Sequence, residues 1–246
     1  MFGKQKPPTE EMIALRAAED NAGALKLALR YMGKTNKPLI KYDNDFLLQT
    51  ASLYFEIDEN ELKVIDSNEN QTANIIEGEV QTLPPNWRTQ GDKELKRTSL
   101  QLEACTLIAN RVFANVKRRG SNGQTALLLI GSCCLETNNF DKAEKYFDDT
   151  ISTTMEGEDK TSAGWLIATS LTSKGLIAYA RDYDPEGAIR FFDMVLEKKP
   201  KFEPTLLFKN DIITMQKGGT GKLLNSITDM KKLLIPGTTK AIWKKI

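Results

Sequence analysis

Residues 127–151 read LLLIGSCCLETNNFDKAEKYFDDTI, an apolar stretch and a charged stretch separated by the polar turn TNNFD. Neither here nor elsewhere in the second half of the chain do Val, Ile and aromatic residues alternate with a period of two, the pattern of a half-buried strand. Apolar residues recur instead at steps of three and four. The sequence therefore predicts an all-α protein.

The same stretch resembles one unit of the tetratricopeptide repeat (TPR) family. That unit is a hairpin of two helices with a W-x₂-L-G-x₂-Y pattern on the first helix and A-x₃-F on the second. The resemblance implies that Gly131 and Ala143 are small where the two helices cross. The positions that match the family pattern are Leu127, Ile130, Gly131, Cys134, Ala143 and Phe147.

Residues 171–200 resemble a second unit, in which Gly175, Ala188 and Phe192 match the pattern and Pro200 closes it. This unit has Lys174 where the family has Leu, and its turn, RDYDPEG, is one residue longer. Residues 201–236 resemble a third, degenerate hairpin. Within residues 186–210 the chain is also similar to a repeat of the large TPR subunit of the polymerase-associated factor complex, a nuclear transcription-elongation scaffold.

The stretch QKGGTGKLL, residues 216–224, resembles the KGGxGK phosphate loop of some ATPases. Such a loop uses a Ser or Thr after the lysine to bind Mg²⁺, but Leu223 occupies that position. We therefore predict that Gly218, Gly219 and Gly221 form the turn of the last hairpin, and that the protein has no cofactor.

The resulting organisation is an α-solenoid of stacked helical hairpins. Residues 1–65 are predicted to form N-terminal hairpins that are degenerate repeats, and residues 66–91, which are polar and hold two prolines, an irregular loop or insertion. Residues 92–246 are predicted to form the TPR-like array, with KAIWKKI, residues 240–246, as the capping helix.

The amino-acid composition argues against several classes of function for this chain, among them histidine-based catalysis and zinc binding. The chain has no histidine, which removes the commonest general base near neutral pH and most zinc sites. Its three cysteines form no C-x-x-C pair, and no run is apolar enough to span a membrane. We therefore expect a non-enzymatic protein of the cytoplasm or nucleus with no metal site and no membrane partner.

Charges nearly cancel over the whole chain, with 34 Lys and Arg against 33 Asp and Glu. Residues 217–246 are an exception, because they carry seven lysines against Asp229 alone. These lysines leave a second interpretation open, in which the protein is a subunit of a nuclear transcription or RNA-related assembly and its basic C-terminus contacts nucleic acid.

In the TPR family the first helices of successive hairpins line a concave face that binds protein segments. The resemblance implies a mainly apolar groove that suits an amphipathic helix or an extended segment. Two alternatives stay open: these residues are core, or the groove is covered by residues 66–91 with Trp87 as the anchor. The predicted groove residues are Thr125, Leu128, Ser132, Glu136, Thr172, Leu176, Tyr179, Leu207, Asp211 and Thr214.

Overall fold

The computed structural model describes residues 6–57, 59–66, 71–80, 100–116, 120–155 and 160–219, and within these ranges every regular element is a helix. The prediction of an all-α protein is confirmed for this part of the chain. The fold divides into two compact units, Met1–Lys117 and Arg118–Ile246. No helix in the described ranges is both long enough and apolar enough to cross a membrane.

The first unit contains six α-helices and one short 3-10 helix among its described residues. Two helices begin at aspartate caps: Asp20 accepts a hydrogen bond from the N–H of Gly23, and Asp43 accepts from the N–H groups of Asp45 and Phe46. The helices are α1 (Thr9–Ala17), α2 (Asn21–Thr35), the 3-10 helix (Leu39–Lys41), α3 (Asn44–Glu56), α4 (Glu59–Ile65), α5 (Gln71–Val80) and α6 (Leu100–Val116).

Helix α3 is the centre of the first unit, because it is buried on nearly all sides and packs against α1, α2 and α6. At its end the buried Glu56 carboxylate accepts a hydrogen bond from Arg16 of α1, whose guanidinium also donates to Gln49. Burial raises the pKa of Glu56 above its ordinary value, and the Arg16 charge opposes that rise. The pair ties α1 to α3.

Helix α5 corrects the prediction that residues 66–91 are irregular. Two features favour the helix: the Asp66 carboxylate accepts hydrogen bonds from the N–H groups of Gln71 and Thr72, both at 2.9 Å, and Thr72 and Ile76 are buried one turn apart. The polar residues between them hide this short stripe in the sequence. Residues 81–91, including Trp87, lie outside the described residues.

Helix α6 corrects the predicted boundary at residue 92. We assigned it to the TPR-like array, but it packs against α3 and α5 and belongs to the first unit. Its buried stripe, Leu102, Cys105, Ile108 and Val112, fills the side of α3 that the N-terminal helices leave open. The sequence showed this stripe but not which helices it packs against.

The second unit contains five described helices. These are α7 (Gly120–Glu136), α8 (Phe140–Met155), α9 (Lys160–Asp182), α10 (Pro185–Lys198) and α11 (Glu203–Gln216). Helices α7 and α8 pack on each other, as do α9 and α10, so the two predicted hairpins are present. Helix α9 begins eleven residues before Leu171, where the resemblance started the second unit.

In each hairpin a glycine of the first helix packs against a phenylalanine of the second. A Cβ added at Gly131 of α7 would lie 2.9 Å from Cε1 of Phe147 on α8, and one added at Gly175 of α9 would lie 2.5 Å from Cε1 of Phe192 on α10. No side chain larger than hydrogen fits at such distances without a shift. The role expected of Gly131 at the helix crossing is therefore confirmed, and Gly175 repeats it.

Successive helices of the second unit pack in chain order, α8 on α9 and α10 on α11. Their shared core joins both hairpins and extends to α11, which is why one hairpin alone has no complete core. Its fully buried aromatic residues are Phe147, Phe192, Phe202 and Phe208.

Candidate partner-binding groove

The first helices of the successive hairpins lie next to each other in the second unit. Helix α7 contacts α9. Helix α9 in turn contacts α11 through two side-chain pairs: the Thr172 and Thr205 hydroxyls share a hydrogen bond, and the Tyr179 hydroxyl lies 3.6 Å from Sδ of Met215. The ten predicted groove residues all belong to these three helices.

Four of the ten predicted groove residues are buried. Leu128 and Leu176 belong to the core that joins the two hairpins, with 1% and 2% of their surfaces exposed. Ser132 and Thr172 are buried beside them. The structure therefore places these four in the packing between helices and not on an accessible face.

The polar groups of the predicted groove are largely satisfied within their own helices. The hydroxyls of Thr125, Ser132, Thr172 and Thr214 each donate to the carbonyl four residues earlier, at 2.8 or 2.9 Å. A Ser or Thr bonded in this way presents mainly its carbon atoms to a neighbour. This makes the face less polar than its sequence indicates.

The accessible predicted residues fall into two groups. Thr125 and Glu136 are half-buried near opposite ends of α7, too far apart along the helix to form one site. The other four are Tyr179 of α9 and Leu207, Asp211 and Thr214 of α11, and the structure adds Met215, which contacts Tyr179 and which sequence reasoning missed. We call this cluster the α9–α11 face; it consists of Tyr179, Leu207, Asp211, Thr214 and Met215.

Within the α9–α11 face, Leu207, Asp211 and Thr214 follow one another at steps of four and three along α11, so they form one stripe. Tyr179 and Met215 border that stripe on the side of α9. Leu207 and Tyr179 are half-buried, and Met215 is 37% exposed. The face thus offers an aliphatic, an aromatic and a thioether side chain around one carboxylate.

Charged residues of the second unit pair between consecutive helices. Lys174 of α9 contacts Asp148 and Glu144 of α8, Arg181 of α9 contacts Glu144, and Lys209 of α11 contacts Asp193 of α10. These pairs give Lys174, which stands where the TPR pattern has Leu, two carboxylate partners on α8. They serve the packing of one helix on the next.

Comparison with known proteins adds no relative. No protein-family model, no curated protein and no solved structure matches this chain. The fold and the face are therefore interpreted from the chain itself.

The glycine stretch after α11 is described only at its start. Gly218 has a φ of 81°, a left-handed conformation that ends the helix, and the N–H of Gly219 donates to the carbonyl of Thr214 at 2.9 Å. Gly221, Lys222, the rest of the third hairpin, the predicted capping helix and six of the seven C-terminal lysines lie outside the described residues. Within the described ranges no group of His, Cys, Asp or Glu is arranged to hold a metal ion.

Proposed function

We propose that this protein is a non-enzymatic scaffold or adaptor of the TPR type that binds a protein segment on its α9–α11 face. The observation that carries the proposal is the repeated glycine–phenylalanine contact in two consecutive hairpins whose first helices lie next to each other. Hairpins that repeat one contact stack in one direction, and such stacks use the face of their first helices for binding. These contacts support a solenoid arrangement of the described helices of the second unit.

The chemistry of the face favours a partner with an apolar stripe. Leu207, Tyr179 and Met215 supply apolar area, and the Thr214 hydroxyl is satisfied by its own helix. None of the five side chains that define the face is a cation that could serve as a fixed donor for an acidic peptide tail. An amphipathic helix laid across α9 and α11 would bury its apolar side here.

The test is affinity capture with an intact chain and two matched variants that each replace an apolar residue by glutamate. Leu207→Glu places a charge within the face, whereas Met194→Glu places the same charge on an exposed position of α10, outside the face. We expect the intact chain and Met194→Glu to retain the same protein partners and Leu207→Glu to lose them. Circular dichroism and thermal unfolding should be unchanged in both variants.

Partners that remain bound to Leu207→Glu would contradict the proposal. Partner loss with both variants would show a general effect of the added charge and would contradict the proposal as well. The core residue Leu176 is unsuitable for this test, because a glutamate there would disrupt the packing between hairpins.

A further inference from the structure

The first unit holds a cavity of about 590 Å³ between the end of α2, the segment that leads into the 3-10 helix, and one side of α5. Its floor is apolar and buried, and consists of Met32, Leu39 and the ring of Tyr42. The Tyr42 hydroxyl donates to the carbonyl of Met32 at 3.2 Å and shares a 2.7 Å hydrogen bond with Thr35, so the floor is fixed. Pockets of this size and character commonly take a small ligand or a side chain.

The rim of the cavity is polar and exposed. It carries two exposed amides, Asn36 and Asn74, one half-buried amide, Gln71, and one cation, Lys37. A side-chain amide both donates and accepts, and can therefore bind the N–H and C=O groups of a peptide backbone. Rim and floor together suit an extended segment that inserts one apolar side chain.

Gly78 of α5 keeps this cavity open. A Cβ added there meets no described atom within 4 Å, in contrast to Gly131 and Gly175, whose neighbours leave no room. Glycine in a helix costs about 1 kcal/mol relative to alanine, so packing gives no reason for it here. Its position on the cavity wall gives a reason, because glycine leaves the cavity open.

One charged residue, Lys37, is among the described residues that line the cavity. The segment 21–42, which supplies one wall, has four further basic residues outside the lining and no acidic one. Glu77 of α5 is likewise outside the lining. The basic residues are Lys26, Arg30, Lys34, Lys37 and Lys41.

We infer that this cavity binds an acidic peptide segment through one apolar side chain seated on the Met32, Leu39 and Tyr42 floor. The basic segment attracts the acidic residues, and the rim amides hold the backbone. A single-stranded nucleic acid would share the negative charge, but such ligands stack their bases on accessible aromatic rings. The aromatic ring of this cavity, Tyr42, is buried with 6% of its surface exposed.

The test is selection from a random displayed library of dodecapeptides on the full chain, followed by fluorescence anisotropy with the enriched peptides. We expect them to be acidic with one large apolar residue. Gly78→Leu fills the cavity and raises helix propensity, so it should fold at least as well as the intact chain while weakening the peptides about tenfold or more.

Two charge variants distinguish a contact at the rim of the cavity from a general attraction by the basic segment. Lys37→Glu on the rim should weaken the peptides more than Lys26→Glu, which makes the same change on α2 outside the cavity lining. Leu207→Glu should leave peptide binding unchanged, because the inference does not depend on the α9–α11 face. A failure here and a failure of the proposed function are therefore distinguishable.

Three outcomes would overturn the inference. One is that no peptide is enriched over the Gly78→Leu variant, and another is that the enriched peptides are not acidic or bind that variant equally well. The third is that a 20-nucleotide oligouridylate binds in a manner sensitive to Gly78→Leu whereas the peptides do not, which would assign the cavity to nucleic acid.

Discussion

The two hairpins of the second unit share their crossing contact and differ in almost everything around it. In both, a glycine of the first helix faces a phenylalanine of the second, one turn after a fully buried alanine, Ala143 or Ala188. The second hairpin has a first helix of 23 residues against 17 in the first hairpin. The glycine–phenylalanine contact is therefore the feature that the two hairpins share, whereas the length of the first helix and the turn differ between them.

The two hairpin turns also share a backbone conformation and differ in the residue that adopts it. Each hairpin turn has one residue in a left-handed conformation, Asn138 with a φ of 57° and Tyr183 with a φ of 53°. Asn tolerates that conformation, whereas a bulky side chain there is strained. Tyr183 is also 86% exposed, so neither backbone preference nor packing in the described structure explains its presence.

Removing the phenylalanine should have the largest effect in either hairpin. We expect Phe147→Ala and Phe192→Ala each to lower the free energy of unfolding of the second unit by about 3–5 kcal/mol, since each leaves a cavity at a site with no exposed surface. Chemical denaturation followed by circular dichroism measures both. A large loss for one and a small loss for the other would break the equivalence of the two contacts.

Adding a methyl group to the glycine should distinguish the hairpins. The added Cβ lies closer to the ring at Gly175 than at Gly131, 2.5 Å against 2.9 Å. We therefore expect Gly175→Ala to destabilise by about 1–2 kcal/mol and Gly131→Ala by less, because overpacking outweighs the gain in helix propensity.

The control for the glycine variants is a double variant in which a smaller side chain replaces the phenylalanine ring. Combining Gly175→Ala with Phe192→Leu should cost less than the sum of the two single changes, since the smaller side chain relieves the clash of the added methyl group and the methyl group fills part of the space that the ring leaves. Strict additivity would show that the two residues do not press on each other.

Replacing Tyr183 by asparagine would give both hairpin turns a residue that tolerates the left-handed conformation. Tyr183→Asn is expected to raise the free energy of unfolding by about 0.5–1 kcal/mol, because asparagine adopts this conformation at lower cost. Thermal unfolding reports the change, and Tyr183→Phe is the control that keeps the bulk. Equal stability of the asparagine and phenylalanine variants would contradict the role of backbone strain.

The ion pairs between hairpins should contribute least. Lys174→Met keeps the aliphatic part of the side chain and removes the charge that contacts Asp148 and Glu144, both of which are partly exposed. Because solvent and salt screen such pairs, we expect a loss below about 1 kcal/mol that disappears in 1 M salt. A loss that persists at high salt would show that packing, and not charge, accounts for Lys174.

The helical class was predictable from the sequence because apolar residues recur at steps of three and four. The crossing contact was predictable because its two residues are only 16 or 17 apart within one hairpin. Helix α5 was not, since its cap, Asp66, and its two buried residues are separated by polar side chains. Nor was the extent of α9, whose first eleven residues precede the stretch that resembles a repeat, although Trp165 and Leu166 among them are buried.

Only part of the candidate groove could be predicted, for a physical reason. Which residues of α9 are covered depends on how α9 rotates against α7 and α11, and no local pattern fixes that rotation. Leu176 is therefore core although family spacing placed it on the surface, while Met215 lies on the face although spacing omitted it.

Photo-crosslinking from α11 tests the central claim most directly. With benzoylphenylalanine at position 207, and in parallel at the exposed position 194 of α10, we predict that a partner protein is crosslinked from 207 and not from 194, through residues of an apolar stripe. Equal crosslinking from both positions, or crosslinks from 207 only to residues of the same chain, would contradict the claim that the α9–α11 face binds a partner.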